Sequence, residues 1–168
     1  MSDQSKSPGS VRVGIGTDLH RIEVGKRLVL AGVPIDAPFG LAGHSDADVV
    51  LHALMDALLG ASGLPDIGEL FPNTDEAYED ADSRALMRDV VNRVRRSGFV
   101  PINIDLVIHA EKPAIVPHKP ALRKSLADLL GLPVDCVNLK AKTGEGIGTI
   151  GKGEGIACTA VALVERNG

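Results

Sequence analysis

The chain has 168 residues, 44% of them apolar but only 2% aromatic, and a formal net charge of −4. That length suits one compact domain with a core of Val, Leu, Ile and Ala. A mildly acidic chain with few aromatics lacks the basic, base-stacking surface of a nucleic-acid binder, and no apolar run approaches the roughly 20 residues that span a bilayer.

Residues 1–10 are polar or small after the initial Met and read as a disordered tail. They carry neither the apolar core of a secretory signal nor an Arg-rich transit pattern, and the two cysteines, expected as reduced thiols, fit a cytoplasmic protein. Residues 11–168 read as a single domain. Residues 11–22 are a strand, with Val11, Val13 and Ile15 alternating before Asp18-Leu19-His20. Residues 27–35 form a second strand, broken at Ala-Gly-Val-Pro and folded as a hairpin or arm on the first. A helix runs from Ser45 to Gly60, capped by Ser45 or Asp46 and ended by Gly60. Between its ends nearly every residue is apolar except Asp48, His52 and Asp56, at i, i+4 and i+8, which make one polar seam.

A Gly/Pro/Asp-punctuated loop covers residues 63–75. A second helix covers 82–97, with Leu86, Val90 and Val94 buried and Gly98 as its stop. Residues 102–111 are a strand with Ile102, Ile104, Leu106, Ile108 and Ala110 on one face. A third helix starts near Pro120, buries Leu122, Leu126, Leu129 and Leu130, and ends at Gly131. Residues 137–143 and 156–165 are closing strands. Cys136 and Cys158 sit in apolar runs and read as buried reduced thiols.

The order of elements predicts an α+β fold: a mixed, mainly four-stranded sheet with helices on one face and a small N-terminal hairpin. Ile156, Cys158, Ala160, Ala162 and Val164 lie on one face of the last strand. Ala157, Val161 and Leu163 lie on the other. Three helices cover only one face, so the second face is predicted to meet other copies of the chain.

Three groups carry chemistry. Asp18 and His20 share a strand face, and His52 on the seam is the natural third member. One carboxylate and two imidazoles suit Zn²⁺ with an open fourth position. Asp48 or Asp56, one turn from His52, is the expected orienter of its ring. Asp-x-His is short, and alone it more often marks ordinary polar contacts than a metal. The second group is the glycine-rich stretch 142–156. Gly146-x-Gly148-x-x-Gly151 matches the dinucleotide fingerprint, but that motif opens a long helix in a βαβ unit, and here the closing strand follows. A P-loop fails as well, because Gly153 stands where Ser or Thr must hold Mg²⁺. What remains is a loop whose N–H groups can approach phosphate, with Lys142, Thr143, Glu145 and Lys152 available. Glu145 is a candidate ligand for Mg²⁺ or Mn²⁺. The third group is residues 110–118, an Ala-Glu-Lys-Pro-Ala-Ile-Val-Pro-His connection able to hold a flat ligand against its backbone.

Together, Asp18-x-His20, His44-Ser-Asp-x-Asp-Val, His52-Ala-x-x-Asp-Ala-Leu-Leu-Gly, Asp66-Ile-Gly, Phe71-Pro, Thr74-Asp75, Ala110 with Pro113, and Thr143-x-Glu145 followed by Gly-Glu-Gly-Ile-Ala resemble the 2-C-methyl-D-erythritol 2,4-cyclodiphosphate synthase family. The resemblance covers residues 11 to about 165 in order. It implies a homotrimer with active sites between subunits and inward-packed sheets. It also implies a small cytidine diphosphate substrate, conversion of 4-diphosphocytidyl-2-C-methyl-D-erythritol 2-phosphate into the cyclic diphosphate and CMP, and a place in non-mevalonate isoprenoid synthesis. By the resemblance, Asp18, His20 and His52 hold zinc, and Glu145 holds a second divalent ion, Mg²⁺ or Mn²⁺. His44 and Thr143 are the catalytic pair near the phosphates. Ser45, Asp66, Ile67, Gly68, Phe71, Asn73, Asp75, Lys142, Thr149 and Lys152 contact substrate. Ala110, Pro113, Ala114, Ile115 and Val116 form a cytidine pocket from a neighbouring subunit. Ala114, Asn73, Lys142, Gly144, Thr149 and Lys152 depart from the residues common in the family. A zinc-dependent phosphohydrolase and a non-catalytic trimeric binding module are the competing readings.

Overall fold

A computed structural model of the chain describes residues 10–43, 45–72, 74 and 81–167. Residues 1–9 of the tail expected over 1–10, and the site candidates His44, Asn73 and Asp75, lie outside the described residues.

Among them the fold is a five-stranded mixed sheet in the order β4-β1-β7-β5-β6, with a separate hairpin β2-β3. The strands are β1 (Val11–Val24), β2 (Leu28–Leu30), β3 (Val33–Ile35), β4 (Phe39–Leu41), β5 (Phe99–His109), β6 (Val137–Lys142) and β7 (Gly155–Arg166). The helices are α1 (Val49–Ser62), α2 (Ile67–Leu70), α3 (Ser83–Arg96), α4 (Lys119–Leu130) and the single turn α5 (Gly148–Gly151). Among the described residues only β5 and β6 pair in parallel. The α+β class and the one-sided helical layer match expectation, but the sheet has five strands, not four. The missed strand is β4, three residues Phe-Gly-Leu with no alternation to read, which pairs antiparallel with the end of β1. The broken segment after β1 pairs only with itself, Leu28 to Ile35 and Leu30 to Val33.

The core lies between the sheet and α1, α3 and α4. On β7, Ile156, Cys158, Ala160, Ala162 and Val164 are buried, as the alternation predicts. On β5 the register shifts between Pro101 and Asn103. That bulge turns Pro101 inward and leaves Ile102 half-buried, against the sequence pattern. Leu86 and Leu129 are likewise half-buried, with Met87 and Ala127 taking core positions beside them. Cys158 is buried, whereas Cys136 is half-buried in a 3₁₀ turn, which corrects its expected burial. Both are free thiols.

β1 packs backbone to backbone against α1. A Cβ on Gly14 would stand 2.1 Å from the Ala57 carbonyl oxygen, and one on Gly16 would stand 2.0 Å from that of Ala53. Ala53, Ala57 and Ala61, four residues apart, present their small side to these glycines. Helix and strand can therefore approach backbone to backbone. The next inward positions on β1 after Gly14 and Gly16 are Asp18 and His20.

The other sheet face is open. Val11, Val13, Ile15, Leu19 and Val161 project from it, with Ile15 67% exposed and Val13 65%. A contiguous apolar face of this kind marks an association surface.

Gly16→Ala places a methyl group against helix backbone that has no slack, so overpacking costs about 2–3 kcal/mol. A lower urea midpoint at fixed protein concentration measures it. An unchanged midpoint shows that α1 yields freely.

Candidate functional site

Helix α1 starts later than the seam suggests and is capped by one of the seam's own members. Asp48 is the N-cap, accepting from the Val50 and Leu51 N–H groups at 3.1 Å each. The same carboxylate accepts from Ala31 N–H at 2.9 Å and Gly32 N–H at 2.6 Å, at the tip of the β2-β3 hairpin. It is fully buried. Burial pushes its carboxyl up to about 6, against the pull of the Gly32, Leu51 and Ala31 N–H groups. Asp48 therefore ties hairpin to helix and does not orient His52, and neither Ser45 nor Asp46 is the cap. Asp46 instead accepts from Ser83, from its N–H at 3.1 Å and from its hydroxyl. The helix also continues beyond Gly60, and Gly63, at φ +71°, ends it.

Asp18, His20 and His52 meet in a tight triangle. His20 Nε2 lies 2.8 Å from Asp18 Oδ2, His52 Nδ1 lies 3.1 Å from the same oxygen, and the two nitrogens are 3.2 Å apart. Two ring nitrogens and a carboxylate oxygen aimed at one another cannot all be satisfied without a shared proton or a cation. A tetrahedral zinc site has ligand–ligand edges of roughly 3.3 Å, so the triangle is nearly the size that a metal needs. The outward nitrogens are engaged as metal-ligating histidines require. His20 Nδ1–H donates to the Ala42 carbonyl at 2.8 Å, which leaves Nε2 with its lone pair inward. His52 Nε2 lies 3.2 Å from the hydroxyls of both Ser45 and Ser83. These serines, not Asp48 or Asp56, orient the ring. Ser83 is the residue that sequence reasoning missed, because no local pattern ties position 83 to position 52.

Burial raises Asp18, but hydrogen bonds from His20 and His52 outweigh it and hold the carboxyl well below the usual range. Burial lowers His20, but Asp18 outweighs that and raises it. Asp18 and His20 thus stabilise each other's charge, and a cation on the triangle would take the place of the proton shared between His20 Nε2 and Asp18. The three side chains stay 25, 19 and 13% exposed, so a ligand can reach them.

Asp56 has another task. Its Oδ1 accepts from Ile67 N–H at 2.9 Å, anchoring the Asp66-Ile67-Gly68 turn to α1 one turn beyond His52. Burial raises the Asp56 carboxyl, and the charges of Asp66 and Asp18 add to this. Asp66 caps α2 by accepting from Glu69 N–H. Phe71 is buried behind that turn with Arg93 over its ring.

The glycine-rich loop and the proposed nucleotide segment form a second group. Ala110 N–H donates to the Lys142 carbonyl at 2.9 Å, and Gly144 N–H donates to Glu111 Oε2 at 3.0 Å. Thr143 donates to Glu145 at 2.6 Å. Ala110 and Ile115 are buried, whereas Ala114 and Val116 are exposed, and the Lys112–Pro113 peptide is cis. The loop folds tightly on itself, since a Cβ on Gly144 would lie 2.3 Å from Gly151 N. Beyond its single helical turn it enters β7, whereas the dinucleotide and P-loop motifs both require a long helix there, so neither applies. Thr149 and Glu154 line a recess with Leu19 and His20, while Lys152 is exposed. Asp18 lies level with Cys158, Ile108 and Ala141 across the sheet. Lys142 and Thr143 therefore start at the same end of the sheet as the triangle. They stand three strand spacings away, roughly 14 Å.

The YgbB family matches residues 11–165. The 2-C-methyl-D-erythritol 2,4-cyclodiphosphate synthase of Bordetella petrii is 54% identical over 155 residues, covering 92% of this chain and 96% of the relative. The enzyme of that name from Salinibacter ruber is 48% identical over 92% of this chain and 99% of its own. A solved 2C-methyl-D-erythritol-2,4-cyclodiphosphate synthase in its CDP-bound form superposes with a TM-score of 0.85 at 40% identity, covering 92% of this chain and all of that one. The bifunctional IspDF of Campylobacter jejuni matches with a TM-score of 0.89 at 40% identity, over 93% of this chain and 42% of that chain.

His52→Ala is expected to strip the chain of stoichiometric metal by elemental analysis, and Ser83→Ala to weaken metal affinity about tenfold in chelator competition. One equivalent of metal retained by His52→Ala dismisses the triangle as the site.

Proposed function

The chain belongs to the YgbB family, whose matched relatives are 2-C-methyl-D-erythritol 2,4-cyclodiphosphate synthases, and from that premise we propose how its residues divide the reaction. The chain is a lyase of the non-mevalonate isoprenoid pathway. It converts 4-diphosphocytidyl-2-C-methyl-D-erythritol 2-phosphate into 2-C-methyl-D-erythritol 2,4-cyclodiphosphate and CMP. In this reaction the substrate's own 2-phosphate attacks the β-phosphorus and CMP leaves in line. The nucleophile is already anionic and the leaving group is a phosphate, so the protein's main work is to fold the substrate back and balance its charge.

The observation that carries the metal reading is the Asp18–His20–His52 triangle with both outward ring nitrogens engaged. Zinc is the ion that this donor set fits best, and when bound it supplies Lewis-acid charge beside the β-phosphate. Asp18 and His20 present their lone pairs from β1, and His52 presents its own from α1. Ser45 and Ser83 fix the His52 ring. Asp66, Ile67 and Gly68, tethered through Asp56, lie beside α1 and receive the erythritol hydroxyls. Phe71 backs that turn. Thr143 orients a phosphate oxygen, and Glu145 holds Mg²⁺ or Mn²⁺ with the diphosphate. Lys142, Thr149 and Lys152 supply donors around the phosphates. Ala110, Pro113, Ala114, Ile115 and Val116 hold the cytosine. His44, Asn73 and Asp75 keep the phosphate- and substrate-facing roles that the family pattern implies.

The assembly is a homotrimer built on the open sheet face. Val13, Ile15 and Val161 lose water there, and Thr143, Glu145 and the nucleotide segment of one copy stand over the triangle of the next. Supporting this, the loop and nucleotide segment are bonded to one another while the triangle lies across the sheet. Residues 11–168 act as one domain. We place the protein in the cytoplasm, in keeping with its two free thiols and with no described helix long and apolar enough to cross a membrane.

³¹P NMR of the purified chain with substrate, Zn²⁺ and Mg²⁺ is expected to give CMP and the cyclic diphosphate. Linear phosphate products in its place identify a phosphohydrolase, and no turnover identifies a binding module. His52→Ala is expected to abolish turnover yet sediment as the trimer, whereas Ile15→Asp is expected to sediment as smaller species.

A further inference from the structure

The helical face carries a charged groove that the reaction does not use. It runs between α3 and α4, has a volume of about 640 Å³, and is lined by Arg84, Arg88, Arg95, Lys124, Ser125 and Asp128 among others. Four cations and one carboxylate converge there in a chain whose net charge is −4.

Two of the cations are already committed. Arg84 donates through Nε and Nη2 to Asp82, and Lys124 donates to Asp128 at 2.7 Å. Arg88 and Arg95 form no ion pair among the described residues, although the Asp82 carboxylate lies within electrostatic reach of Arg88. They lie seven positions apart on α3, two turns or roughly 10 Å. That gap is one that two long guanidinium arms can close on a single ligand with more than one anionic group.

The floor is fixed. Ser125 donates to the Ala31 carbonyl at 2.6 Å, and the stem of Arg84 lies over Gly32, where a Cβ would stand 2.6 Å from its Cδ. Ala31 and Gly32 are in turn held by buried Asp48. At the other end Arg95 Nη2 approaches Gly131, just past α4. The first turn of α3 and the middle of α4 thus reach the same hairpin tip, and the two helices end close together at Arg95 and Gly131.

We propose that this groove is a second, non-catalytic anion site that takes a diphosphate group, with Arg88 and Arg95 as its principal ligands and Arg84 and Lys124 as supporting charges. A diphosphate matches the two open cations in charge, and guanidinium forks bind phosphoryl oxygens in bidentate fashion. The site does not depend on the reaction proposed above.

Inorganic diphosphate is the probe, titrated calorimetrically into the full chain at low salt. His52→Ala serves as the background, so that the metal triangle does not contribute. Binding is expected to persist in His52→Ala and to weaken at least tenfold when Arg88→Glu and Arg95→Glu are added. Circular dichroism and turnover of the doubly substituted chain with His52 restored are expected to stay at the parent level. Inorganic phosphate is expected to bind at least tenfold more weakly than diphosphate. Diphosphate affinity unchanged by the two charge reversals, or absent from His52→Ala, overturns the site. Equal affinity for phosphate overturns its assignment to a diphosphate.

Discussion

The close approach of β1 to α1 is the constraint on which the site depends. Gly14 and Gly16 face Ala53, Ala57 and Ala61, and nothing larger than a hydrogen fits at either glycine. The same inward alternation that places these glycines next places Asp18 and His20, and the helix that rests on them carries His52. Metal-ligand geometry tolerates errors of only a few tenths of an ångström. A contact between two backbones is stiffer than one between flexible side chains, so the triangle inherits its precision from the part of the fold with least freedom to move.

A second constraint sets where the helix begins. Asp48 is fully buried and forms no ion pair among the described residues, an arrangement that is costly unless the carboxylate is well hydrogen-bonded. Four N–H groups surround it, two from α1 and two from the hairpin tip. Removing it would orphan all four at once, since each has its acceptor in that one side chain. The hairpin is otherwise a two-stranded element, marginal by itself. Its attachment to α1 through Asp48, and to α4 through Ser125 and the Ala31 carbonyl, makes it part of the scaffold.

Much of this was legible in the residues and some was not, for physical reasons. Alternation placed Asp18 and His20 on one strand face, and helical spacing singled out His52, because both patterns are local. The same helical line also contained Asp48 and Asp56, and it was natural to assign them to His52. They serve other elements, at Ala31, Gly32 and Ile67, and helical spacing does not report what stands opposite a side chain. Ser83 could not be found at all, being 31 positions from His52 and unremarkable except as the residue after a helix cap. The strand β4 is too short for alternation to show, and the bulge at Pro101–Asn103 shifts a register that sequence reads as continuous.

Charge explains why a triangle of this composition suits a phosphate substrate. Among the described residues, no Lys or Arg is bonded to Asp18, His20 or His52, and the charged neighbours that act on Asp56 beside them include Asp66 and Asp18. Such an environment repels a polyphosphate. A divalent ion on one carboxylate and two neutral imidazoles leaves a net charge of about +1 at the centre, which reverses the sign of the field where a phosphate must sit. A second carboxylate ligand in place of either histidine would cancel that charge. The His–His–Asp composition is therefore what allows an otherwise acidic corner of the fold to attract a phosphate.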